Sequence, residues 1–174
     1  MTVEEYATTY LENEIRIIEN SYRKNVLTQL NVFEKAIIYK YTEDGFDDLN
    51  ESLRISKGEN ITLFGTLLAE CLDKLPDFDE IAYRGVNLTS IEFQRYNDAF
   101  EIGTIITEPF FISSSSSIHV GNSYGTDLFK IFSQRGKIVD KISKYPNEKE
   151  VIFRFNSKFK VFAIEKNYIS LIEV

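Results

Sequence analysis

"PFFISSSSSIH", residues 109–119, decides how the second half of this chain is read. Five consecutive serines ordinarily mark a flexible spacer, because small polar side chains bury too little surface to order the backbone. This run, however, follows Phe110, Phe111 and Ile112, which have the composition of a strand entering a core. As a strand it places Ser113, Ser115 and Ser117 on one face and Ile112 and Ser114 on the other. A row of hydroxyls of that kind can orient a neighbouring carboxylate or contact a ribose.

The flanking sequence favours the strand. Beyond Pro76, "EIAYRGV" and "TIITE" have strand composition and "IEFQRYNDAF" forms a short helix. The segments "FFISSSS", "DLFKIFSQ", "GKIVDKIS", "EVIFRF", "FKVFAIEK" and "YISLIEV" follow, punctuated by Gly, Pro and Asn. The first 76 residues read differently. Thr2 with Glu5 and Asn31 with Glu34 make capping boxes, and Leu11, Ile15, Ile18 and Tyr22 recur at the spacing of one helix face. Gly45 is expected to interrupt the chain before "FDDLNESLR", and "ITLFGTLLAECLDKL" forms a further helix ending before Pro76. Helices first and strands second describe an α+β fold in one domain, residues 1–174, with 1–76 mainly helical and 77–174 mainly strands. No linker exceeds a few residues, so the serines lie inside the strand-rich half.

Composition sets the outer bounds. With 174 residues, 43% of them hydrophobic, and 14 Phe and 10 Tyr, the chain can bury a substantial core. A net charge of −7 argues against nonspecific binding to nucleic acid or an anionic membrane, but leaves room for a small anion held by a local arginine. Cys71, the single cysteine, cannot form an intramolecular disulfide and sits among leucines as a small core residue. No apolar run approaches a membrane span, and the acidic N-terminus "MTVEEYATTYLENE" does not fit a secretory signal. Export, if it occurs, is expected to use a route that ignores such signals, or to carry this chain as a piece of a larger polypeptide.

Three places carry chemistry. Arg84, in "AYRGV", stands on an otherwise apolar strand, either ion-paired within the fold or aimed at an external anion such as a diphosphate. Glu148 and Glu150, in "NEKEVIF", are two apart. On a strand they share a face at about 6.6 Å, where one carboxylate can stabilise an oxocarbenium-like centre while the other accepts a proton. They also suit a plain solvated strand start. Asn50 is an amide on an apolar helical stripe and must be hydrogen-bonded, for instance in tying two helices together. His119 is the only histidine and has no cysteine partner, so no zinc site is expected, and the carboxylate spacing matches no metal loop. The sequence contains no G-x-S-x-G elbow, P-loop or G-x-G-x-x-G.

Taken in order, "YRG", then F-x-S-S-S about thirty residues on, then E-x-E-V-I-F, the chain resembles the mono-ADP-ribosyltransferases of the R-S-E class, the group of the binary actin-modifying toxins and related bacterial effectors. The likeness extends to "AIIYKYTEDGFDDLNESLR" and "GKIVDKISKYPNEKEVIFRFNSKFKV", roughly residues 30–174 in all. It implies N-terminal helices packed on a strand-rich, two-sheet core. It also implies NAD as a substrate, no metal, and transfer of ADP-ribose to an arginine of a target protein.

The implied roles run residue by residue. Arg84 holds the NAD phosphates, Ser113 positions the catalytic glutamate, and Ser115 supports the strand beside the cofactor. Glu150 contacts the nicotinamide ribose and stabilises the oxocarbenium, and Glu148 serves the incoming guanidine. Tyr145 falls at the aromatic target-recognition position, while Tyr41 and Asn50 line the NAD pocket. Three departures stand out: Ser114 replaces a threonine, and Phe46 a tyrosine of some relatives. No Phe or Arg follows Ser115 in the loop that meets nicotinamide, where His119, Asn122 and Tyr124 are the available substitutes. The resemblance thus describes a secreted toxin or effector acting in a target-cell cytosol, with an NAD glycohydrolase or a catalytically silent partner-binding relative as alternatives.

Overall fold

In the computed structural model, which describes residues 1–174, both capping boxes form. The Glu5 amide donates to Thr2 Oγ1 at 3.1 Å and the Thr2 amide to Glu5 Oε2 at 2.7 Å. Asn31 and Glu34 make the same reciprocal pair at 2.9 and 2.8 Å. Each satisfies two amides that would otherwise lack a partner at a helix start. The boxes open α1 (Val3–Tyr10) and α3 (Val32–Lys40); α2 (Glu12–Glu19), α4 (Phe46–Ile55) and α5 (Leu63–Asp73) complete the helices before Pro76. These belong to one compact unit, Met1–Pro76 with Val139–Asn147, whose buried centre includes Ile18, Ile37, Ile38, Tyr41, Leu53, Leu68, Leu72 and Ile142. Cys71 lies in this core, and burial pushes its thiol up to about 12, which leaves it inert.

Two helical expectations are corrected. The face Leu11, Ile15, Ile18 and Tyr22 spans a break: Leu11 ends α1 and precedes α2, and Tyr22 lies exposed in a 3₁₀ turn, Tyr22–Asn25. Gly45 interrupts nothing. A π turn, Tyr41–Gly45, carries α3 into α4, because its wider i→i+5 pattern absorbs an extra residue where α-helical bonding would stop. The segment Val139–Asn147 is fastened within the same unit. Arg23 donates to the carbonyls of Ile142 (3.1 Å) and Ser143 (2.8 Å), and the Lys144 amide to Thr42 Oγ1 (2.9 Å).

The second unit, Asp77–Ile138 with Glu148–Val174, holds eight strands and two helices. Along the chain these are β1 (Ile81–Val86), α6 (Ser90–Ile102), β2 (Ile105–Glu108), β3 (Ile112–Ser115), α7 (Ile118–Asn122), β4 (Asp127–Phe132), β5 (Lys137–Ile138), β6 (Glu150–Phe153), β7 (Ser157–Glu165) and β8 (Tyr168–Glu173). The strand order is β2-β7-β8-β4-β1-β3-β6-β5, antiparallel except for β4 beside β8. β1 joins β3 through one Cα pair, Tyr83 with Ser115, so the ladder falls into a five-strand part and a three-strand part, the α+β, two-sheet plan. Ala82, Tyr96, Phe129, Ile131, Val151, Phe153, Phe159 and Leu171 form its core. Buried Glu108 accepts from Arg95 Nη1 at 2.8 Å and from the Tyr96 hydroxyl at 2.9 Å, which ties α6 to β2.

Strand boundaries also differ from expectation. β3 ends at Ser115, so Ser117 leaves the strand face and precedes α7. "GKIVDKIS" contributes only the two residues of β5, since Val139 onward packs in the helical unit. No helix is long and apolar enough to cross a membrane.

Candidate active site

The strands β1, β3 and β6 are neighbours, and Arg84, Ser113 and Glu150 stand one on each. Arg84 Nη1 donates to the Ser113 carbonyl at 2.7 Å, and the guanidinium lies 5.8 Å from the Phe110 ring centroid. These contacts fix a long flexible cation against the strand end. Ser115 sits opposite Glu150, and Ser113 opposite Ile152, which makes Ser113 the diagonal neighbour of Glu150 on one face. The Ser113 side chain hydrogen-bonds the Glu150 carboxyl.

The two glutamates do not share a strand. Glu148 ends a 3₁₀ turn, Pro146–Glu148, and Lys149 has φ of 48°, so the period-two geometry starts only at Glu150. The turn is held by the serines: Ser115 Oγ donates to the Glu148 carbonyl (2.7 Å) and accepts from the Ser117 amide (3.0 Å). The Ser116 amide donates to the Lys149 carbonyl at 3.0 Å, and Ser114 Oγ to the Val151 carbonyl at 2.8 Å. The serine run therefore laces β3 to β6 and to the turn before it. It is not a spacer.

Glu150 is 7% exposed, and its Oε2 is buried with no hydrogen-bond partner. Burial, together with the nearby Glu148 charge, pushes its carboxyl up to about 7, against a smaller opposing effect of the Ser113 hydrogen bond. A buried acceptor without a donor is costly unless something fills it, and a sugar hydroxyl has the required chemistry. The arrangement supplies a fixed cation for an anion, a buried carboxylate for a developing positive charge, and a second carboxylate for a proton.

A model of the ADP-ribosyltransferase exoenzymes matches residues 18–172. The chain belongs to the ADP-ribosyltransferase exoenzyme family. Mav of Mycobacterium avium (strain 104) is 33% identical to this exoenzyme chain over a 143-residue alignment that covers 78% of this chain and 16% of Mav. NAD(+)–protein-arginine ADP-ribosyltransferase Tre1 of Serratia proteamaculans (strain 568) is 30% identical over 134 residues, 75% of this chain and 29% of Tre1. The exoenzyme chain thus spans less than a third of either curated relative. Among solved structures, ADP-ribosyltransferase HopU1 of Pseudomonas syringae pv. Tomato DC3000 superposes with a TM-score of 0.81 at 18% identity, covering 94% of this chain and 87% of HopU1. At that identity the likeness speaks for the shared exoenzyme fold alone.

The remaining candidates of this exoenzyme lie in its helical unit. Tyr41, in the π turn, is fully buried and accepts from Asn50 Nδ2 at 3.2 Å, so the odd amide of the sequence reaches from α4 to that turn. Phe46 packs edge-on to Tyr41 at 6.2 Å. Tyr145 is 49% exposed. In the strand-rich unit, the loop after Ser115 adds a residue the sequence could only name among three. His119 and Asn122 are exposed, whereas the Tyr124 hydroxyl donates to Glu148 Oε1 at 2.6 Å. A contact between residues 24 apart leaves no local periodicity to read. Its one sequence trace is the glycines at 85, 121 and 125, which mark backbone in close approach.

Proposed function

We propose that the chain, acting as a whole, transfers ADP-ribose from NAD to an arginine of a target protein and releases nicotinamide, as a toxin or effector in a target-cell cytosol. The observation that supports this most is the Glu150 carboxyl: buried, raised to about 7, and with Oε2 lacking a donor. A ribose hydroxyl of NAD satisfies that oxygen, and Arg84 meets the diphosphate as a planar, permanently charged donor. Tyr41 and Asn50 contribute to the NAD pocket, and Tyr145 to recognition of the target.

In this reaction the bond from ribose C1′ to nicotinamide breaks, and its electron pair leaves with the ring nitrogen. The positive charge left on the ribose is met by the ionised Glu150. The like-charge strain between Glu150 and Glu148 in the free protein is relieved as that cation forms, so the pair stabilises the transition state more than the ground state. A guanidino nitrogen then bonds to C1′, and the proton it loses passes to Glu148 and on to solvent. Ser113 holds the Glu150 carboxyl, and Ser115 holds the turn that presents Glu148.

The test is incubation with labelled NAD and a cell lysate, following both free nicotinamide and labelled protein. Wild type is expected to label a protein on arginine, and Glu150→Gln to lose labelling and NAD cleavage together, by a hundredfold or more. Glu148→Gln is expected to lose labelling while retaining part of the cleavage. Nicotinamide release with no labelled protein overturns transfer in favour of a glycohydrolase, and no turnover at all leaves only a partner-binding role.

A further inference from the structure

Tyr124 stands on the loop between α7 and β4, 55% exposed, with its hydroxyl 2.6 Å from Glu148 Oε1. The loop reaches this place because three glycines permit it. A Cβ on Gly85 of β1 would meet the Gly121 carbonyl oxygen at 2.0 Å, and one on Gly121 would meet Tyr83 Cβ at 2.7 Å. One on Gly125 would meet the Val86 backbone at 2.4 Å. Each distance is far inside van der Waals contact, so α7 and the loop lie against β1 with no room for a side chain. Glycines on both sides of Tyr124 therefore fix its backbone beside the strand that carries Arg84.

We propose that Tyr124 is the positioning residue of the acceptor carboxylate, holding Glu148 through Oε1 so that its second oxygen meets the guanidino group of the target. This rests on the transferase reading above and deepens it by assigning the acceptor subsite a donor. Glu148 lies at the end of a 3₁₀ turn and is only half-buried, so packing alone does not select its rotamer. One short hydrogen bond to an ionised oxygen does select it. Burial, and then the bond to Glu148, push the tyrosine up to about 12, so it stays a donor throughout any physiological assay. Water, small and abundant, attacks C1′ without needing Glu148 in one orientation, whereas a guanidinium must lose its proton to it during attack. Tyr124 thus bears on the choice between acceptors.

The experiment compares wild type with Tyr124→Phe and Tyr124→Ala, using NAD with and without agmatine as the guanidino acceptor. Nicotinamide release, agmatine labelling and the melting temperature are each measured. The ratio of transfer to hydrolysis is expected to fall about tenfold in Tyr124→Phe, through kcat for agmatine rather than KM for NAD, and no less in Tyr124→Ala. An unchanged ratio in Tyr124→Phe, with wild type active, overturns the assignment and leaves the transferase reading intact. A ratio unchanged with a raised KM for NAD also overturns it, by moving Tyr124 to the NAD side. A wild type that releases no nicotinamide overturns both readings.

Discussion

At Glu150, burial and the Glu148 charge favour the neutral acid and hold the carboxyl up at about 7. Because the proposed reaction needs the ionised form to meet the ribose cation, kcat/KM for NAD is expected to rise from pH 5.5 to pH 8 with a midpoint near 7. The second cause is removable. Glu148→Gln deletes the like charge, so the midpoint of residual NAD cleavage is expected to move to lower pH, with Glu150 ionising more readily. A midpoint that stays in place, measured as a full pH–rate profile of the variant, would show that the two carboxylates are not coupled through space. Removing the Ser113 hydroxyl acts oppositely: its hydrogen bond favours the charged form, so its loss moves the midpoint up.

The elements place these residues by contacts of very different range, and that range decides what a sequence reveals. Gly85→Ala adds a methyl group that would meet the Gly121 carbonyl oxygen at 2.0 Å, backbone against backbone, with no flexible side chain to give way. A destabilisation of about 1–3 kcal/mol is expected in denaturant unfolding, with a matching displacement of the α7 loop and loss of the proposed transfer activity. Gly103 provides the contrast. Nothing lies within 4 Å of a Cβ there, but its φ of 82° at the end of α6 costs an alanine about 1 kcal/mol through the backbone alone, with transfer activity retained. The capping boxes were legible because Thr2–Glu5 and Asn31–Glu34 act across three residues. Arg84, Ser113 and Glu150 were legible as strand residues because a β-branched or aromatic run adjoins each of them on at least one side, Ile81–Tyr83, Phe110–Ile112 and Val151–Phe153. The left-handed Lys149 was not, since an ordinary lysine takes that backbone only because the turn is laced to the serines. Nor was α7, whose five residues carry no side-chain cap, or the truncation of β5, which pairing and not propensity sets.

For the whole molecule, the same buried carboxyl is a cost to folding. In the unfolded chain it titrates near 4.5, and in the folded protein near 7. The folded state therefore binds the extra proton between those values. The contribution of this group to stability is fully present below about 4.5, falls as pH rises toward 7, and stays lost above it. A shift of this size corresponds to on the order of 1–3 kcal/mol once relaxation around the charge is allowed for. Glu150→Gln, neutral at every pH, is accordingly expected to melt several degrees above wild type at pH 8, by differential scanning calorimetry, and to match it at pH 4.5. A difference that does not vary with pH would assign the effect to packing instead.

The path of the chain also constrains how the protein can be dissected. It leaves the strand-rich unit at Ile138, spends nine residues among the helices, and comes back at Glu148. A gene fragment starting at Asp77 would encode every strand, yet its Val139–Asn147 stretch would lack the Arg23 and Thr42 anchors that normally receive it. That untethered stretch would end at the glutamate proposed to take the acceptor's proton. Split-protein or minimal-fragment designs drawn at Pro76, the boundary most visible in the primary structure, therefore free the stretch that leads into Glu148 while leaving both acids and the serines that lace their turn in place.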